Sequence, residues 1–330
     1  MDQCEYVLCA GGGTHGVMYI GMYRALQDHL LTATGHNLDQ HLHRMRGFGG
    51  TSVGALTSLA MLLNLSAECL EVTCAPYLSN MRNVVPRPDL TMLFTEFGLD
   101  DGTALRDLIC QILRAGGICE DATFADIHRL LQRDYVCVAT DVQTKKPLYF
   151  CMERTPTLRI ADAVFMSMCV PFVFAPFRYD KRLVVDGALS HNMPRVFPIE
   201  KTLFVDLRVP DVAMRVTNIN EYLMAIFAMT VDKSDWYREH MCLPLQLPEF
   251  IGSDSSIDFD VHPAVTQMRI RCGYASTLAY LFPDFMPTML AILELAYSLA
   301  LESQQQLWAL VDDTESCSCS EFAVAIDRCT

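Results

Sequence analysis

The 330-residue sequence predicts an α/β fold: a three-layer sandwich with a mostly parallel central sheet flanked by helices, followed by a mainly α C-terminal region. Three observations predict it. Short β-type apolar runs alternate with helical patterns over the first two-thirds of the chain, as strands joined by crossover helices do. Glycine-rich turns close several of those strands and open helices. Apolar residues make up 51% of the chain and charged ones 19%, enough to fill a large core and too apolar for disorder.

Each element follows from its own pattern. Glu5–Ala10 is an apolar run that stops at three glycines, a first strand. From Gly16 to Leu31 the period turns helical, with Val17, Ile20, Tyr23 and Leu26 on one face. Thr32–His43 is polar and reads as a loop, and Met45–Gly49 as a second short strand. Ser52–Leu63 reads as a buried helix, and Ser66 caps the next one. After the Asp100-Asp101-Gly102 turn, Thr103–Ala115 is helical and closes at Gly116-Gly117. Thr123–Gln132 is a helix with capping-box spacing from Thr123 to Asp126. Tyr135–Val142 and Pro147–Met152 read as strands joined by a turn at Thr144-Lys145-Lys146. A helix over Arg159–Cys169 ends before Pro171, and Arg182–Val185 and Thr202–Leu207 are strands. Strand signals fade after Val209, where Ile219–Val231, Pro263–Phe282 and Pro287–Val311 look helical. From Thr314 the chain is a polar, cysteine-bearing tail, and no internal repeat is visible.

Charge and cysteine usage exclude whole classes of function. The net charge is −14, with no basic footprint, which argues against nucleic-acid binding and against blanket attraction to anionic lipid. The 14 cysteines are scattered without a C-x-x-C pair, so no metal site is expected. The start, MDQCEYVLCAGGG, has no basic n-region and is not expected to be a secretory signal. The cysteines therefore read as reduced thiols of an intracellular, cytoplasmic protein. The most apolar stretch, Phe285–Leu301, is interrupted by Pro287 and Glu294 and is too short for a membrane span. It reads as a mostly buried helix that could also touch a lipid interface, so peripheral membrane association is expected to be apolar and insensitive to salt.

Three motifs carry chemistry. Gly11-Gly12-Gly13-Thr14-His15-Gly16 follows the first strand and matches G-x-G-x-x-G. Such a turn aims free N–H groups at negative charge, either a dinucleotide pyrophosphate or the oxyanion of an acyl transfer, unless it is only a tight turn. The dinucleotide reading needs an acidic residue closing a second strand about 20 residues on. Asp39 falls in that window, but in a polar stretch that ends no strand. Gly50-Thr51-Ser52-Val53-Gly54 is G-x-S-x-G between a short strand and an apolar helix, the context of a nucleophile elbow. Asp186-Gly187-Ala188 directly follows a strand, which points the aspartate to the same sheet edge as the other two motifs, unless it is a simple Asp-Gly turn.

Taken in order, these motifs resemble the patatin-like phospholipase family. Ala139-Thr140-Asp141, the stretch Ala161–Pro176 with SMCVPFVFAP, and Asn192-Met193-Pro194 are similar to that family as well. The resemblance runs from about Tyr6 to Leu207 and divides the chain into a patatin-like domain at 5–209, a helical region at 210–313 and the tail at 314–330. It implies a lipid acyl hydrolase, cleaving phospholipid or related glycerolipid esters at a membrane or lipid-droplet surface without a cofactor. Ser52 would be the nucleophile and Asp186 the base, in a dyad without histidine. The amides of the loop from Gly11 through Gly12, Gly13, Thr14 and His15 to Gly16 would hold the oxyanion. Gly50 and Gly54 would shape the elbow, and Gly187 and Ala188 the turn after the base. One departure is His15, where the family commonly has Arg or Lys, which puts the charge of that loop in question. Two other readings remain: a catalytically weak lipid-binding or regulatory protein, and a nucleotide-binding oxidoreductase. A Ser-acid-His triad would need His191, His240 or His262, all of which follow Asp186.

Overall fold

The computed structural model describes residues 3–78, 81–209, 216, 219–247, 261 and 263–283. The expected helix Pro287–Val311, the stretch Phe285–Leu301, His262 and the tail from Thr314 lie outside them.

Ten strands and eleven helices follow one another along the described chain. They run β1 (Tyr6–Cys9), α1 (Met18–Thr34), α2 (Leu38–Arg44), β2 (Gly47–Thr51), α3 (Val53–Leu62), α4 (Ala67–Leu78), α5 (Met81–Val84), α6 (Leu90–Thr95) and β3 (Gly98–Asp100). Next come α7 (Thr103–Ala115), α8 (Phe124–Leu131), β4 (Asp134–Asp141), β5 (Lys146–Phe150), α9 (Ile160–Ser167), β6 (Phe172–Phe174), β7 (Phe177–Tyr179) and β8 (Arg182–Asp186). The last are β9 (Thr202–Arg208), α10 (Ile219–Thr230), β10 (Cys242–Gln246) and α11 (Pro263–Leu281).

The sheet is mixed and mostly parallel. Strands β10, β9, β1, β2 and β4 lie side by side and all run parallel. β1 and β2 are buried along their whole length, which is why they read as continuous apolar or glycine runs rather than as alternating patterns. On one face Leu8 and Phe204 pack with Met193 and Tyr237. On the other, α3 and α8 meet Tyr135, whose hydroxyl donates to Ala55 O and whose ring stacks on Phe124. This is the expected three-layer α/β sandwich.

The decisive departure is at β4, which carries three partners. Its residues 134–138 pair with β2 in parallel and residues 139–141 with β8 in antiparallel sense, while β5 pairs with 137–141. Because β5 shares residues with both of the others, it occupies one flank of β4, and β2 and β8 lie end to end along the other. The strand before Asp186-Gly187-Ala188 is thus antiparallel to its neighbour, against the expectation of a shared parallel edge. Its C-terminus reaches the site from the opposite direction, and Thr51 and Asp186 meet as partners of adjacent residues, Val138 and Ala139.

Other corrections are local. Residues 32–43 are not a loop: α1 continues to Thr34, and α2 starts at Asn37, whose side chain accepts from Gln40 N–H while Gln40 reciprocates. That capping box and the buried Leu38 and Leu42 suffice for a two-turn helix too short to show a period. The second strand is Gly47–Thr51, two residues later than expected, because Tyr6 pairs with Gly47. Beyond Val209 the region is not helical throughout: β10 adds a parallel edge to β9. Its five residues include a proline, tolerated at a sheet edge.

Helices α1 and α11 cross where neither has a side chain. A methyl on Gly21 would lie 1.8 Å from Ile270 O, and one on Gly273 would lie 2.0 Å from Met18 O. This brings α11 against the start of α1 and the turn before it.

Candidate active site

The loop after β1 is built to leave amides unspent. Tyr19 Oη donates to Ala10 O at 2.6 Å, fixing the strand end. Gly11 N–H donates to Asn192 Oδ1 at 2.8 Å. A 3-10 turn follows at Gly13–Val17, with Gly13 at φ 57°, and its first hydrogen bond is donated by His15 N–H to Gly12 O. The amides of Gly12, Gly13 and Thr14 precede that bond, as orphan donors do at any helix start.

Ser52 sits on the turn from β2 into α3 with φ 55° and ψ −130°, a conformation costly for any residue with a side chain. The surroundings enforce it. A methyl on Gly50 would lie 2.4 Å from Gly54 O, and one on Gly54 would lie 2.2 Å from Cys9 O, so the elbow presses directly on β1. Ser52 N–H donates to Ser167 Oγ at 2.9 Å, and Ser167 Oγ donates to Val138 O at 2.5 Å, tying the elbow to α9 and β4.

Asp186 closes β8 and is 1% exposed. Ser52 Oγ donates to its Oδ2 at 2.6 Å, and Ala188 N–H donates to its Oδ1 at 2.8 Å. Burial dominates its ionisation and pushes the carboxyl up to about 7, against the lowering effect of those two hydrogen bonds. Gly187 completes the end-to-end contact: a methyl there would lie 2.1 Å from Val138 O and 2.9 Å from Thr51 Cγ2.

The histidines lie elsewhere. His191 shares a hydrogen bond through Nδ1 with the Tyr149 hydroxyl, and its carbonyl accepts from Thr51 Oγ1 at 3.0 Å. His240 leans on the rings of Phe204 and Trp236. Neither ring touches Ser52 or Asp186. His15 is buried, and its ring nitrogens have no hydrogen-bond partner among the described residues. Burial first, and the Arg269 guanidinium second, push its pKa down to about 3. Burial and that guanidinium thus both disfavour a positive charge at His15.

A narrow cleft of about 40 Å³ opens beside Ser52. Gly13 and Thr14 form one wall, and Leu78, Val84, Leu105, Leu108, Val170 and Phe174 make the rest apolar. Phe172, between the cleft-lining Val170 and Phe174, is exposed, as are Leu90, Phe94 and Phe97 on and after α6, which leads into β3, the partner of β6; Phe94 is exposed by 82%. Phe97 and Phe172 both have positive φ, 68° and 70°, rare for aromatic residues.

The structure thus brings together Ser52, Asp186 and the loop from Gly12 to Thr14, and leaves the histidines apart. Gly11 N–H is occupied by Asn192, and the His15 amide by the turn itself. Asp39, the acid that a dinucleotide site would require, caps no strand and lies in the first turn of α2. Sequence reasoning gave no role to Asn192 or Ser167, although both fall in stretches that resemble the family. Nothing local marked Arg269.

A family model described as patatin-like phospholipase matches residues 7–197. An uncharacterized protein of Acanthamoeba polyphaga mimivirus is 24% identical over 291 residues, spanning 83% of this chain and 93% of that protein. A probable lipid hydrolase of Invertebrate iridescent virus 6 is 24% identical over 82 residues, 25% of this chain and 28% of its own length. Among solved structures, VipD from Legionella pneumophila superposes with a TM-score of 0.53 at 14% identity, covering 84% of this chain and 67% of that one.

Proposed function

The chain belongs to the patatin-like phospholipase family, and from that premise we propose that it is a lipid acyl hydrolase working through a Ser52–Asp186 dyad. The observation that carries the reading is the 2.6 Å hydrogen bond from Ser52 Oγ to a buried carboxylate that makes no hydrogen bond to a histidine among the described residues. A carboxyl with a pKa near 7 is a competent base at neutral pH, whereas an exposed one is not.

Ser52 Oγ attacks the ester carbonyl carbon as its proton passes to Asp186. The carbonyl oxygen takes the negative charge and accepts from the amides of Gly12, Gly13 and Thr14. These donors are fixed before reaction, so they stabilise the anion without reorganising. Collapse breaks the ester C–O bond, and Asp186 returns the proton to the departing alcohol. Water, activated by the same carboxylate, then hydrolyses the acyl-enzyme. The apolar cleft accepts the acyl chain, so the substrates are phospholipids, lysophospholipids or acylglycerols. The exposed Phe94 and Phe172 at the rim rest on the lipid surface that presents them. Among the described residues no helix is long and apolar enough to cross a membrane.

Fluorophosphonate labelling with peptide mapping tests the nucleophile. The expected label is on Ser52 alone, lost in Ser52→Ala together with hydrolysis of a phospholipid panel. A label elsewhere, or none on the folded protein, overturns the assignment.

A further inference from the structure

We infer that Arg269, on α11, is a positioning residue of the oxyanion loop: it holds Thr14, and with it the run of amides from Gly12 to Thr14, in place. The inference rests on the hydrolase reading and extends it to a residue outside the three motifs.

The geometry is specific. Arg269 is 0% exposed, the largest fully buried side chain among the described residues. Its Nη1 donates to Thr14 Oγ1 at 3.2 Å, joining residues 255 apart in sequence. Thr14 lines the cleft beside Ser52. The crossing of α1 and α11 at Gly21 and Gly273 brings the guanidinium this deep, because a methyl at either glycine would strike the opposite backbone.

Holding the loop acts where charge develops. Arg269 fixes Thr14 towards one end of the loop, and Asn192 fixes Gly11 at the other. Amide donors held in place before reaction favour the tetrahedral anion more than the neutral ester, so they lower the barrier more than they tighten substrate binding.

The test uses the full chain with Arg269→Met, Arg269→Lys and Thr14→Val, each checked for folding by circular dichroism and Tm. Three readouts are taken: kcat and KM on p-nitrophenyl butyrate, Ki for an alkyl trifluoromethyl ketone whose Ser52 adduct carries the oxyanion, and fluorophosphonate labelling of Ser52. Arg269→Met is expected to lower kcat by about 10- to 10²-fold, less than loss of a direct oxyanion donor because Arg269 acts through Thr14. KM should stay within about twofold, and the ketone Ki should rise in step with the loss of kcat/KM. Arg269→Lys should recover most of the rate. If Arg269→Met does not fold, Thr14→Val carries the test, with a smaller fall in kcat at unchanged KM. A folded Arg269→Met or Thr14→Val with wild-type kcat, a loss confined to KM, or a ketone Ki that does not move overturns the inference alone. A wild-type chain with neither Ser52 labelling nor ester turnover overturns the hydrolase reading, and this inference with it.

Discussion

Asp186 is held where its chemistry is useful and its folding is costly. An unfolded aspartate ionises near 3.8, whereas the folded one does so at about 7. Between those values the folded chain keeps a proton that the unfolded chain has lost, so this residue's contribution to stability falls as pH rises through that window. Above about 7 the buried charge is a net cost on the order of a few kcal/mol. Asp186→Asn removes the ionisation. Its Tm is expected to exceed wild type at pH 8, with the difference shrinking below about pH 4; a lower Tm for the variant at pH 8 would contradict the burial argument. The same variant should lose hydrolysis by about 10²–10⁴-fold or more, since the amide cannot accept the Ser52 proton. In the wild type, kcat/KM should climb through one limb near pH 7. Changing His191 or His240 to Ala should leave that limb in place. A histidine variant as inactive as Asp186→Asn, yet folded, would replace the dyad with a triad.

At the scale of elements, the proposed site depends on two strand ends meeting on one flank of β4 and on two helices crossing at glycines. Gly21→Ala puts a methyl 1.8 Å from the Ile270 carbonyl, so α1 and α11 must part. The expected cost is about 1–3 kcal/mol, read by chemical denaturation, because overpacked contacts relax only by moving backbone. Activity should fall as well, since Arg269 moves with α11. A second element-scale expectation concerns α6, which has no buried residue, and the short β3–β6 pair. Phe172 lies two residues from Val170 and from Phe174, both of which line the cleft beside Ser52. Phe94→Ser with Phe172→Ser should cut turnover of vesicle phospholipid several-fold while leaving a soluble butyrate ester unaffected. Equal losses on both substrates would show the patch to be structural.

For the whole molecule, net charge sets the conditions of lipid encounter. A net charge of −14 disfavours an anionic surface, so docking on lipid is expected to come from apolar contact. Flotation with zwitterionic vesicles is expected to change little between about 0.05 and 0.5 M salt, where the screening length falls well below 10 Å. Adding anionic lipid should weaken binding at low salt. Binding that required anionic lipid and vanished with moderate salt would reverse this picture.

Much of the site was legible in the sequence because its motifs are local backbone constraints. G-x-S-x-G records how closely Gly50 and Gly54 approach neighbouring carbonyls, and the glycine run after β1 records a tight 3-10 turn with Gly13 at positive φ. Such requirements are written within five or six residues, so Ser52, Asp186 and the alternation of strands and helices could be read directly. What only the tertiary structure decided depends on contacts between distant segments. The antiparallel entry of β8 follows from β4 outrunning β2, and a strand pattern does not state its direction. β10 exists because β9 offers an edge, and α2 because a capping box and two buried leucines compensate for its shortness. The lowered pKa of His15, the raised pKa of Asp186 and the placement of Arg269 behind Thr14 all arise from desolvation and approach in three dimensions, quantities that no linear spacing contains.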